Sequence, residues 1–123
     1  GVQATGCRAV GQAKGILENN LGMLALGTVE NETALVYFAM AKKLMPSQIR
    51  FDNNYRMALL LNKKYVQALE GIETDRANVF LYQAGLFAET QGETVLARTL
   101  LKKAIDLSPT YFEAAENKLQ QLH

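Results

Sequence analysis

Small residues and a proline recur along this chain at fixed distances, and that recurrence constrains the fold more than any other feature. Gly85, Ala97, Ala104 and Pro109 stand in one order, and Gly22, Ala34, Ala41 and Pro46 stand in the same order earlier. Twelve residues separate each glycine from its first alanine, and five separate each second alanine from its proline. A further copy lies between them at an offset of 34 from the first. Asn19 aligns with Asn53, Asn20 with Asn54, Met23 with Met57, Leu26 with Leu60, Ala34 with Ala68 and Leu35 with Leu69. The step from Ala68 to Ala97 is 29, so the middle copy has lost about a helical turn before Asn78. It carries Arg56 where the others have glycine, and it lacks the proline.

Each copy reads as two helices packed back to back. In the last copy they span about Val79–Gln91 and Glu93–Leu107. Gly85 lets them approach closely, and Gly92 fits the turn because it takes φ > 0 without strain. Ala97 and Ala104 form a small-residue stripe, with Leu81, Leu86, Leu100, Leu101 and Ile105 filling the space around it. Ser108-Pro109 stops the second helix, since proline steers the residue before it away from the α region. The first copy gives helices over Ile16–Thr28 and Asn31–Leu44, with Asn31 as N-cap and Lys42 and Lys43 at the negative helix end. The middle copy gives Ile49–Asn62, a turn at Asn62-Lys63-Lys64, a short helix over Tyr65–Ile72, and a loop over Glu73–Ala77. A final helix covers Tyr111–Leu122. Its apolar side is Tyr111, Ala114, Ala115, Leu119 and Leu122, and its polar stripe includes Glu113, Glu116, Lys118 and Gln120, as a terminal cap requires. Near the N-terminus Cys7, Val10 and Leu17, with Ala13 between, could share one helical stripe that runs on from residues 1–14. That segment is either the second helix of a preceding repeat or an extension of the helix that follows.

This order of small, bulky and breaking residues resembles the tetratricopeptide (TPR) repeat. Leu81 stands where that family often has Trp, and Ala88 where it often has Tyr. The resemblance implies an all-α, right-handed solenoid of about three helix-turn-helix repeats. They cover residues 15–48, 49–77 and 78–109, with an N-terminal extension over 1–14 and a capping helix over 110–123. In this family the first helices line a concave groove that holds a protein or peptide partner. The register places Ile16, Asn19, Met23 and Leu26 there, then Arg50, Asn53, Met57 and Leu60, then Val79, Tyr82, Leu86 and Glu89. The groove set is Asn19, Met23, Arg50, Asn53, Met57, Tyr82, Leu86 and Glu89, with Tyr82 as the anchor. Asn can pair with a peptide backbone through both donor and acceptor, and Met adapts its surface to different side chains. The same residues have a second reading: the Met pair as groove-floor core, and the Asn pair as caps on local backbone. TPR domains that clamp a chaperone's C-terminal carboxylate use Lys, Asn and Arg at fixed positions. Met23, Val79 and Gln83 occupy three of those and only Asn54 matches, which argues against such a clamp. The strings NNLGMLAL and NNYRMALLLNKKYVQAL are similar to TPR lipoproteins of bacterial tight-adherence (Flp-type) pilus assembly. That likeness implies an envelope assembly factor, periplasmic or outer-membrane-associated, with its lipobox upstream; without it, a cytoplasmic location is expected.

Other function classes find little support in the residues. The 13 Lys and Arg against 12 Asp and Glu offer no electrostatic footprint for nucleic acid. No run of 18 apolar residues is present, so no membrane span is expected. Cys7 is the one cysteine, which excludes an internal disulfide. Ala4-Thr5-Gly6-Cys7 loosely resembles a lipoprotein cleavage site, but the residues before it form no apolar region, so Cys7 reads as a small helix residue. His123 is the one histidine, and no Cys/His cluster has metal-ligand spacing. Glu70 and Glu73 read as surface acids, and Lys63-Lys64 and Lys102-Lys103 as solvated lysines. A non-enzyme without cofactor or metal is expected. The alternative function is homo-oligomerisation through the N-terminal segment and the solenoid ends.

Overall fold

In the first and last copies, helices touch where the recurring small residues fall. The computed structural model describes residues 2–122, with side chains from residue 9 onward. Among the described residues the fold is all-α, with seven helices and no strand. They are α1 (Val2–Gly27), α2 (Asn31–Leu44), α3 (Ile49–Leu61), α4 (Tyr65–Leu69), α5 (Thr74–Thr90), α6 (Thr94–Leu107) and α7 (Glu113–Gln121). The chain divides into two units, residues 1–62 and 63–123.

In the first unit α1 packs antiparallel on α2, and α2 packs on α3. Gly22 makes the α1–α2 crossing possible: a Cβ there would sit 2.5 Å from the Phe38 ring. Ala34, Phe38 and Ala41 supply the facing side of α2, all fully buried. Burying an aromatic of this size contributes about 1.5–3 kcal/mol relative to leaving it in water. Two polar ties hold α3 to α2. Asn62 Nδ2 donates to the Asn31 carbonyl at 2.8 Å. At the other end Asp52 lies 2.9 Å from Lys42 and 2.8 Å from Arg56. Burial works to raise the Asp52 carboxyl, but the hydrogen bonds and charges of Arg56 and Lys42 outweigh it and hold it below its ordinary value.

The second unit repeats the first crossing 63 residues on. Gly85 faces Leu101, 2.9 Å from where a Cβ would lie, and Ala97 and Ala104 are fully buried beside it. Thus Gly22, Ala34, Phe38 and Ala41 have Gly85, Ala97, Leu101 and Ala104 as structural counterparts. Helix α7 then packs on α6. Ala115 is buried there, and Arg98 Nη2 donates to the Leu122 carbonyl at 3.2 Å.

The turns recur as well. A residue in the left-handed region precedes α2, α4 and α6: Val29 at φ 58°, Lys63 at 65° and Gly92 at 81°. Their spacings are the 34 and 29 of the sequence pattern. The next residue, Glu30, Lys64 or Glu93, then takes φ −100°, −95° or −88° and starts the helix. Only one of the three left-handed positions carries the glycine that favours it.

Helix α1 runs unbroken through residues 14 and 15, so the N-terminal segment is an extension of the helix that follows, and Gly15 and Gly22 are contact points rather than breaks. Three local expectations change. Asn31 is the first residue of α2, and Glu30 rather than Asn31 holds the N-cap position. Helix α4 ends at Leu69, since Gly71 turns the chain at φ 77°. The stretch Glu73–Ala77 is not a loop. The Glu73 carbonyl accepts from the Arg76 and Ala77 amides, Asp75 suits the positive helix end, and α5 begins at Thr74. The side chain of Cys7 and the whole of His123 lie outside the described residues.

Candidate binding cleft in the first unit

Asn19, Met23 and Arg50 come together. They line a cavity of about 430 Å³ in the first unit, with Ile16 and Asn20 from α1, Phe51 and Asn54 from α3, and Met45 and Gln48 from the α2–α3 connection. The helical period puts Ile16, Asn19 and Met23 on one face of α1. Arg50 and Asn54 are one turn apart on α3. Asn54 Nδ2 donates to Asn19 Oδ1 at 2.8 Å, so the two amides are held in place across the cleft. Each keeps further hydrogen-bonding capacity, because an amide offers two donors and an acceptor with two lone pairs. Ile16 and Met23 are half exposed, leaving an apolar wall open to solvent.

The other sequence-derived positions divide. Asn53 and Met57 are half-buried in the first unit but do not line the cavity. Asn53 Oδ1 is buried without a hydrogen-bond partner, so Asn53 caps nothing through that oxygen. Leu26 and Leu60 are core, not groove. In the second unit Leu86 is half-buried, while Tyr82 and Glu89 are engaged within the fold. Tyr82 lies against Phe112, ring centroids 5.2 Å apart, and Glu89 pairs with Lys118 at 2.7 Å. The chain around α7 therefore covers this strip of α5, and Tyr82 is not a free anchor. Lys118, read as part of a wet stripe, instead reaches back to α5.

Five cavity residues lie outside the sequence-derived groove register: Asn20, Met45, Gln48, Phe51 and Asn54. The recurrence of Asn20 and Asn54 at the same offset as Asn19 and Asn53 was the signal for two of them. Met45 and Gln48 lie in a connection, where no periodicity marks a facing side.

A second cavity, about 300 Å³, lies in the second unit among Tyr65, Val66, Leu69, Leu81, Lys103, Asp106 and Leu107. Lys103 Nζ sits 4.5 Å from the Tyr65 ring centroid, and burial pushes the Tyr65 hydroxyl up from its ordinary pKa. Among the described residues no group of three or more His, Cys, Asp or Glu could hold a metal ion, and no helix is long and apolar enough to cross a membrane. No protein-family model matches the chain, and no curated protein is significantly similar to it in sequence.

Proposed function

We propose that this chain is a non-catalytic protein-interaction module of the tetratricopeptide kind, a right-handed solenoid of about three helix pairs that holds a partner segment against its first helices. The cavity formed by Asn19, Met23, Arg50 and Asn54 carries this reading. Adaptable apolar walls and fixed amides with unspent hydrogen bonds suit a peptide segment laid along α1 and α3. The Asn-Asn strings that give the likeness to pilus-assembly lipoproteins contribute Asn19, Asn20 and Asn54 to this cavity. An assembly partner at a bacterial envelope is the corresponding extension of the proposal. The test is recovery of a partner from the source cell by immobilised protein. Met23→Asp should abolish retention, while Val66→Asp, at a side chain 90% exposed in the second unit, should preserve it. Retention that survives Met23→Asp would remove the site from this cleft.

One observation favours the alternative, self-association. Val10, Leu17 and Leu24 lie at seven-residue spacing on α1 and are 69%, 56% and 66% exposed. Light scattering decides it: a strict monomer at high concentration argues against a second copy on that stripe.

A further inference from the structure

We infer that the cleft of the first unit selects acidic segments: an extended stretch that places an apolar side chain on Ile16 and Met23 and an Asp or Glu side chain on Arg50. This rests on the cleft reading above and adds the chemistry of the ligand.

Charge is the first argument. Arg50 is the one charged residue lining the cavity, and no acidic side chain pairs with it among the described residues. The nearest acid in sequence, Asp52, is already neutralised by Lys42 and Arg56. The first unit as a whole carries six basic residues against four acidic ones, whereas the second carries seven against eight. A guanidinium left without an anion in a partly apolar cleft favours a carboxylate, which it can grip through two parallel N–H bonds. A basic segment would be repelled at the same place.

Spacing is the second argument. Ile16 to Met23 covers about 10 Å of α1 at 1.5 Å per residue, the length of about three extended residues. Arg50 and Asn54 are four positions apart on α3, about 6 Å along its axis. A ligand whose peptide group meets the Asn19–Asn54 pair would therefore set its acidic side chain within about two residues of that group. The cleft reads a short pattern, an apolar residue and an acid close together, rather than overall charge.

The experiment is selection of a phage-displayed random 12-mer library on the intact chain, with depletion on Met23→Asp. Enriched peptides are then synthesised and titrated against wild type, Arg50→Gln and Arg50→Lys at two salt concentrations. The inference expects enrichment of Asp or Glu within about two positions of Leu, Ile, Met or Phe. Arg50→Gln should weaken binding about ten-fold, Arg50→Lys less, and added salt should weaken wild type more than Arg50→Gln. Enrichment of neutral or basic peptides that need Met23 but ignore Arg50 overturns the acidic preference and leaves the cleft as the site. Failure to enrich any Met23-dependent peptide overturns both. All three variants alter exposed side chains, and circular dichroism matching wild type verifies that they fold.

Discussion

One helix carries a glycine series in which the same substitution should change sign. Gly11, Gly15 and Gly22 all lie inside α1. Replacing a mid-helix glycine by alanine contributes about 0.8–1.0 kcal/mol in favour of the helix. At Gly11 nothing lies within 4 Å of the added methyl, so Gly11→Ala should stabilise by about that amount. At Gly22 the methyl would stand 2.5, 2.6 and 2.9 Å from Cε1, Cδ1 and Cζ of Phe38. Carbon atoms prefer about 3.5–4.0 Å, so the ring must retreat by about 1 Å in a site where Phe38 is fully buried. Overpacking of that kind costs about 1–3 kcal/mol, and a rigid ring belongs at the upper end. Net of the helix gain, Gly22→Ala should destabilise by roughly 1–2 kcal/mol. Gly15→Ala should fall near zero, because the methyl meets Met45 Cγ and Sδ at 3.0 Å and that flexible chain can yield. Urea denaturation followed by circular dichroism at 222 nm measures all three, with unchanged slopes required for a two-state comparison. Combining Gly22→Ala with Phe38→Leu, which gives position 38 the smaller residue carried by its counterpart Leu101, should recover part of the loss. If Gly22→Ala stabilises as much as Gly11→Ala, the close crossing of α1 and α2 is wrong.

Two further outcomes follow from the turn and the ion pairs. Gly92→Ala introduces only backbone strain, since its Cβ meets nothing within 4 Å, and should cost about 1–2 kcal/mol; Val29→Gly relieves the same strain at φ 58° and should gain about 0.5–1 kcal/mol after the entropy of glycine is counted. Calorimetric melting should move in opposite directions for the pair, and a rise in both would dismiss the shared turn geometry. The Asp52 carboxyl is held below 3.8, so its contribution is fully present above that value and is lost as pH falls through the lower folded value. Asp52→Asn should therefore lower stability at pH 7 by an amount that shrinks as pH falls through the folded value, read from urea midpoints across the range; a constant difference at all pH values would contradict the linkage.

Much of the helical frame was legible because it is written in side-chain volume. Gly22 with Phe38, Gly85 with Leu101, and the buried alanines of α2 and α6 follow from size and spacing alone. The start of α5 was not legible, because Glu73, Thr74, Asp75 and Arg76 are all exposed and show no apolar period. Their helix is set by backbone bonding from Glu73 and by the burial of Ala77 behind it. At the candidate site, the repeat register brought Asn19, Met23 and Arg50 to one cleft. It could not tell that Phe112 and Lys118 would occupy Tyr82 and Glu89, since that depends on contacts between residues about 30 apart.

The three left-handed turns bear on how such a chain can change over time. Valine, lysine and glycine all take a left-handed φ at positions 29, 63 and 92. The helices on either side thus dictate the bend, and the residue at its apex merely tolerates it. A side chain at such an apex costs about 1–2 kcal/mol, a cost the fold carries at Val29 and Lys63, so glycine is a poor mark of the repeat. The lasting imprint of the repeat is the distance between apices, and insertions or deletions within a helix pair would erase it faster than substitutions at the bends themselves.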